Sequence, residues 1–291
     1  HNQSRRQRQM CIRDSSKAKG SYIYDNDNNR YLDFVAGVSA CSVGHCNEEV
    51  INAIRNQSEK YMHVMVYGEF VTKPSLDLAK LLAKNLPKSL NCTYFTNSGT
   101  EALEGSMKLA RRHTGRKKII AAKNAYHGST MGALTLMGLD ERKKPFEPLI
   151  PDVEFIEFNS FQDICKIDEK TSCVILETIQ GSAGFILPTE GYLSSVKKKC
   201  KDVGALLILD EIQTGIGRTG KLFGFENFDC IPDIIVYGKG LGGGIPIGAF
   251  TSSKKLMDVL HINPILGHIT TFGSNPVITA AALQTLKIVL G

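Results

Sequence analysis

No apolar run in the 291 residues approaches the ~20 needed to cross a bilayer, so no membrane segment is expected. The eight cysteines are scattered singly, with no C-x-x-C pair, and no metal site is expected from their spacing. A reducing, cytoplasmic setting with free thiols follows. There is no internal repeat and no low-complexity linker. What is present is 42% hydrophobic and 22% charged with 27 glycines, an ordinary globular composition for one large domain or two modest ones.

A real excess of positive charge is also missing. Residues 1–15, HNQSRRQRQMCIRDS, start without Met and have neither apolar periodicity nor the apolar core of a signal peptide. A nucleic-acid-binding arm is one reading. The preferred one is that RRQRQMCIRDS matches, over eleven consecutive residues, the translation of a transposon-type sequencing-library adapter, to be set aside from fold reasoning. That segment holds four Arg and one Asp, a net three of the +6, which leaves +3. This is no footprint for nucleic acid. The native chain is expected to begin near Ser16, with 16–45 an N-terminal hairpin segment and 46–291 a large domain. The end, LKIVLG, falls within a helical pattern, so a fragment lacking a C-terminal small domain is expected.

Residues 20–34, GSYIYDNDNNRYLDF, read as a hairpin in which Tyr/Ile and Tyr/Leu/Phe alternations flank an Asn/Asp-rich turn. EEVINAIRNQSEKYM spaces Val50, Ile51, Ile54 and Gln57 about a turn apart. KPSLDLAKLLAKNL is a stronger amphipathic helix, with Ser75 as its expected cap. From residue 92 the runs CTYF, KIIAA, VEFIEF, SCVILE, ALLILD, DIIVYG and GAFTS alternate with helical stretches such as EALEGSMKLARRHTG and GYLSSVKKKCKDVG. The expected fold class is α/β, a mostly parallel central sheet covered by helices, with ligand sites at the carboxyl ends of strands.

Four stretches carry chemistry. LLILDEIQTGIGRTG (206–220) ends an apolar run in two acids, Asp210 and Glu211, which suit either a solvated turn or a carboxylate aimed at a ligand. IIVYGKGLGGGIPIG (234–248) sets Lys239 between two glycines after an apolar strand. Room around the amine and a desolvated, lowered pKa would make it a nucleophile. A surface lysine in a flexible loop is the alternative, and GLGGG lacks the spacing of a dinucleotide loop. YFTNSGTEALEGSMKLARRHTG (94–115) brings Ser98, Gly99 and Thr100 to the start of a helix whose apolar residues are Ala102, Leu103, Met107, Leu109 and Ala110. Free N–H groups there suit an anion, most naturally phosphate. Capping by Ser98, with Glu101 in the first turn, accounts for the same residues. NAYHGST (124–130) places Tyr126 and His127 before a glycine, where the aromatic can stack on a planar ligand or pack as an ordinary tyrosine.

One ligand uses all four. A lysine forms an imine, a helix start holds a phosphate, an aromatic stacks on a ring, and a carboxylate keeps a ring nitrogen protonated. Pyridoxal phosphate needs each of these, because its pyridinium is an electron sink only while that proton stays.

From about Gly20 to its end the chain resembles the class III (ω-type) aminotransferases of the fold-type-I pyridoxal-phosphate enzymes, the acetylornithine, ornithine and 4-aminobutyrate aminotransferase group. The resemblance is carried by LLILDEIQTGIGRTGKLFGFENFDCIPDIIVYGKGLGGG, NSGTEA, AYHGST, ETIQGSAG and HITTFGSNP, in the family's order. It implies a large pyridoxal-phosphate-binding domain over 46–291. It also implies that Lys239 forms the Schiff base and shuttles the proton, that Asp210 pairs with the pyridine nitrogen, and that Gln213 lies near the phenolic oxygen. Gly99 and Thr100 would bind the phosphate, and Tyr126 would stack on the ring with His127 beside it. Thr271 would reach the phosphate of a neighbouring subunit, which implies a homodimer with shared sites. Glu177 would support the site from behind, and Glu211 would be a local structural partner. Ser129 and Thr270 are candidates for contact with substrate.

Four positions depart from the family's pattern. Asn47 and Glu48 stand where His and Pro are usual, a change expected to touch only a helix start. Ser129 replaces an arginine that clamps a substrate carboxylate, and Ser182 replaces a glutamate that gates substrates. The expected reaction is transfer of an amino group from an amino acid or ω-amine to a 2-oxo acid. The alternatives are aminomutase or decarboxylase chemistry on the same fold, an acetylornithine/ornithine-type enzyme despite Ser129 and Ser182, and an inactive truncated fragment.

Overall fold

The computed structural model describes residues 14–65, 69–262 and 264–291. Most of the adapter-like segment therefore lies outside the described residues. The chain opens with a three-stranded antiparallel sheet of β1 (Lys17–Lys19), β2 (Tyr22–Tyr24) and β3 (Arg30–Leu32). One carboxylate organises the Asn/Asp-rich turn between β2 and β3. Asp25 Oδ1 accepts from the N–H groups of Asp27 and Asn29, and Oδ2 accepts from Asn29 Nδ2 and the Tyr31 hydroxyl. The Asn29 and Tyr31 side chains hold the Asp25 carboxyl below its ordinary pKa.

The central sheet consists of β4 (Cys92–Thr96), β5 (Lys118–Ala122), β6 (Val153–Ile156), β7 (Thr171–Glu177), β8 (Leu206–Asp210), β9 (Ile234–Gly238) and β10 (Gly248–Ser252). Its order is β4-β10-β9-β8-β7-β5-β6. Only β10 runs against its neighbours, so the sheet is mostly parallel. Strands β7 and β9 are buried throughout, which is why they read as unbroken apolar runs rather than alternating ones. Alternate residues face opposite layers. Cys173 and Ile175, with Ile208 and Val236, pack beside Leu103, Met107 and Leu109 of the helix Gly99–Thr114. Val174 and Leu176, with Leu207 and Tyr237, pack among side chains of the helices Lys73–Asn85, Tyr192–Val203 and Pro276–Leu290. The seven cysteines within the described residues are all free.

Two helix starts bear on the sequence reading. Asn47 caps Glu48–Ser58, its Oδ1 accepting from the N–H groups of Glu49 and Val50, so the departure at 47–48 does make a helix start. Ser75 is not a cap. The next helix begins at Lys73 with Thr72 in the N-cap position, because Pro74 brings a helical φ and no N–H that needs a partner. Ser75 sits inside the first turn, where its hydroxyl donates to the Thr72 carbonyl.

The register aligns the carboxyl ends of the middle strands. Glu177 at the end of β7 lies opposite Asp210 at the end of β8, and Asp210 lies opposite Val236 in β9. Lys239 follows β9 directly.

Candidate active site

A cleft of about 320 Å³ opens at this edge, lined by side chains from five strand ends and the loops that follow them. It unites Gly99, Thr100, Tyr126, His127, Ser129, Asp210, Gln213 and Lys239, stretches that lie far apart in the chain.

Lys239 starts a tight turn with φ of 40°, a left-handed conformation that is costly for a residue with a Cβ. The glycines around it do more than make room for the amine. A Cβ on Gly238 would stand 2.8 Å from the Ile247 carbonyl oxygen, and one on Gly240 2.4 Å from Ser42 Oγ. Close packing on both sides therefore holds the lysine in its strained conformation.

Asp210 is buried, and both of its oxygens are engaged. Oδ2 lies 2.7 Å from His127 Nδ1, and Oδ1 accepts from the Ile212 N–H at 2.9 Å. Burial alone lowers the pKa of the His127 imidazole. The Asp210 hydrogen bond and charge, helped by the charge of Glu177, outweigh burial and raise it above its ordinary value. His127 Nε2 is buried without a hydrogen-bond partner. Glu177 Oε1 accepts from the Tyr126 N–H and Oε2 from the Gly181 N–H, so one carboxylate ties the Tyr126 loop to the loop after β7. Burial pushes the Glu177 carboxyl up in pKa, against the opposing pull of His127.

The second acid of the pair, Glu211, points away from the cleft. It accepts from the Thr178 and Thr214 hydroxyls and from the N–H groups of Gly224 and Phe225. Burial raises its pKa in spite of these four bonds. It is a structural partner, as the sequence implied.

Ser98 caps the helix Gly99–Thr114 by accepting from the Glu101 N–H, so the capping reading of this stretch holds. The anion reading survives beside it, because the N–H groups of Gly99 and Thr100 stay available at the cleft wall. Gly99 packs so tightly on Ile212 that a Cβ would stand 2.7 Å from Ile212 Cδ1. Gln213 lies against Gly181, where a Cβ would come within 2.1 Å of Gln213 Oε1. Tyr126 is 39% exposed, and its hydroxyl is 3.4 Å from Ser129 Oγ.

Thr270 and Thr271 do not line this cleft, and Ser182 is exposed outside it. Ile179, Ile212 and Thr214 line the cleft but carried no sequence signal beyond their neighbourhood to motif residues. The direct pairing of His127 with Asp210 was also invisible, since 83 positions separate them. Among the described residues, no group of three or more His, Cys, Asp or Glu side chains is placed to hold a metal ion.

The donor set fits pyridoxal phosphate. An amine, a buried carboxylate, an exposed ring and a helix start with free N–H groups share one cleft, and the orphaned His127 Nε2 marks it as a polar pocket. The family description aminotransferase class III matches residues 3–291. The chain belongs to the class III aminotransferases. This aminotransferase is 40% identical over 273 residues to an acetylornithine aminotransferase of Methanopyrus kandleri, covering 94% of the chain and 69% of that relative. It is 38% identical over 273 residues to a [LysW]-aminoadipate semialdehyde/glutamate semialdehyde transaminase of Sulfolobus acidocaldarius, with the same two coverages, 94% and 69%. Among solved structures it resembles a PLP-bound amine transaminase from an uncultivated Pseudomonas species, with a TM-score of 0.91 and 26% identity over 100% of the chain and 73% of that structure. The enzyme transfers an amino group between an amino donor and a 2-oxo acid, and its cofactor is pyridoxal phosphate.

Proposed function

We propose that this cleft is the transamination site and that its residues divide the work as follows. Lys239 would hold the cofactor aldehyde through Nζ and carry the proton that leaves and returns during transfer. Asp210 would hold the proton on the cofactor's ring nitrogen, and His127 fixes Asp210 through Oδ2. The Gly99 and Thr100 N–H groups, at the positive end of the helix dipole, would hold the phosphate. Tyr126 would hold the ring by stacking, with Gln213 serving its phenolic oxygen. When bound, the cofactor supplies an electron sink for the pair left on the substrate carbon. The observation that carries this reading is the convergence of Lys239, Asp210, Tyr126 and the helix start on one cleft. The test is borohydride reduction of the yellow enzyme followed by peptide mapping. Label on the Lys239 peptide is the expected result, and label on another lysine, or none, refutes the assignment.

The donor we propose is an amine or ω-amino compound held by neutral and apolar contacts. Support comes from the lining, in which Lys239 and His127 are the cationic side chains and Ser129 is neutral. An arginine normally supplies the strongest clamp for a carboxylate. The relatives named acetylornithine aminotransferases favour a second reading, N-acetylornithine as donor. A donor panel run on the wild type and on Ser129→Arg separates the two. Best turnover on N-acetylornithine in the wild type, unimproved by Ser129→Arg, favours the second.

We further propose a cytoplasmic homodimer in which Thr271 serves the partner's phosphate. The support is the exposure of large apolar side chains, Phe34 at 90%, Val71 at 76% and Ile265 at 79%. Segments near 62 and 272 adjoin one another, with the His63 and Phe272 rings 5.0 Å apart and Asn275 Nδ2 donating to the Met62 carbonyl. Apolar side chains left this exposed suit coverage by a second copy.

A further inference from the structure

Behind the phosphate end of the cleft runs a chain of hydroxyls that ends in a carboxylate. Thr100 Oγ1 lies 2.7 Å from Thr130 Oγ1, and Thr130 Oγ1 donates to Glu104 Oε1 at 2.6 Å. The same Glu104 oxygen accepts from the N–H groups of Gly132 and Ala133, at 2.8 and 3.2 Å. These are first-turn donors of the short helix Met131–Thr135, whose own N-cap, Thr130, makes no side-chain cap. Glu104 thus caps that helix from a different element.

The polarity of the chain follows from its end. A carboxylate has only lone pairs to offer, so Thr130 must give Glu104 its single proton. Thr130 is then the acceptor toward Thr100, and Thr100 has given away its single hydroxyl proton. Toward the cleft, Thr100 keeps its backbone N–H as donor, while its hydroxyl presents lone pairs. Two glycines let the parts approach this closely. A Cβ on Gly128 would stand 2.4 Å from Thr100 Oγ1, and one on Gly132 2.3 Å from Glu104 Oε2.

We infer that Glu104 is a positioning residue of this aminotransferase: it clamps the Ser129–Ala133 turn onto the phosphate-binding helix start and commits the Thr100 hydroxyl away from the phosphate. The inference rests on the proposal that the Gly99–Thr100 N–H groups bind the phosphate. Its consequence is that phosphate recognition runs through backbone N–H groups, and that the Thr100 hydroxyl docks the turn instead.

The test is cofactor reconstitution of the full chain, comparing affinity for pyridoxal phosphate with affinity for pyridoxal, and competition by inorganic phosphate. The wild type should favour the phosphorylated form at least a hundredfold. A wild-type ratio near one refutes the helix-start assignment and this inference with it. Glu104→Ala should lower the ratio at least tenfold, because the turn is released from the phosphate end. Glu104→Gln should restore most of it, since its carbonyl oxygen accepts the same three bonds. Thr100→Val, which removes the docking bond and keeps the N–H, should lower the ratio no further than Glu104→Ala does. A role confined to folding would lower the thermal midpoint of Glu104→Ala and leave the ratio unchanged, which overturns the inference. So does a loss in Thr100→Val that exceeds the Glu104→Ala loss tenfold or more, because the hydroxyl would then be donating to the phosphate. If Glu104→Ala does not fold, the Glu104→Gln ratio decides alone, and a tenfold fall in it overturns the inference.

Discussion

Asp210 owes its role to its surroundings. A carboxylate can accept about four hydrogen bonds, so the two made by His127 and Ile212 leave capacity for the ring N–H of the cofactor. Asp210→Asn keeps the size and loses the charge that holds that proton. Turnover should fall about a thousandfold, ~4 kcal/mol of barrier, while circular dichroism stays native. Near-normal turnover would make Asp210 a turn residue only. The His127 pair gives a pH signature in the cofactor-free protein. Its pKa is raised on folding, so the stability it adds is fully present below the ordinary imidazole value, ~6.5, and fades as pH rises through the raised folded value. Urea unfolding of wild type and His127→Asn across pH should give a gap that narrows toward alkaline pH, and a widening gap contradicts the pairing. Asp210 and His127 were legible as separate candidates. Their contact was not, because His127 follows β5 and Asp210 ends β8, strands that the sheet order brings to either side of β7.

At the scale of elements, local rules account for several starts and stops. Asn47 and Ser98 both cap helices, and in the left-handed conformation Gly115 ends the helix that Ser98 starts and Gly204 ends Tyr192–Val203. Asn47→Ala should cost about 1 kcal/mol of unfolding free energy, read from the shift in urea midpoint, with catalysis unaffected. A loss below ~0.3 kcal/mol would mean that tertiary packing sets this helix start. The misplaced cap at Ser75 shows the limit of local reading. Thr72 and Ser75 are both good capping residues, and Pro74 between them decided in favour of the earlier start. The helix Met131–Thr135 was not foreseen, because its capping carboxylate lies 28 positions away in Glu104.

For the whole molecule, the proposed dimer is the claim to test. Phe34, Val71 and Ile265 are among the exposed apolar side chains that the proposed partner surface would cover. Sedimentation at micromolar concentration should therefore give twice the chain mass, and Val71→Asp with Ile265→Asp should give monomers of native helix content. Thr271→Val should then weaken cofactor affinity in the dimer. A wild-type monomer with full activity would refute the shared site.

By itself the sequence determined the elements and the chemistry on offer. Period-2 and period-3.6 patterns depend on neighbours a few residues away, and the lysine, the acids and the glycine-flanked helix start declare their chemistry by type. Only the tertiary structure decided which groups meet. The register that sets Glu177 beside Asp210, the His127 bond to Asp210 and the Glu104 cap all join residues tens of positions apart. The role of the glycines around Lys239 was likewise settled by packing, since the atoms that press on them come from Ile247 and Ser42. The physical reason is common to all four. A local pattern constrains the backbone near itself, whereas contact across a sheet is fixed by the order and register of every strand between.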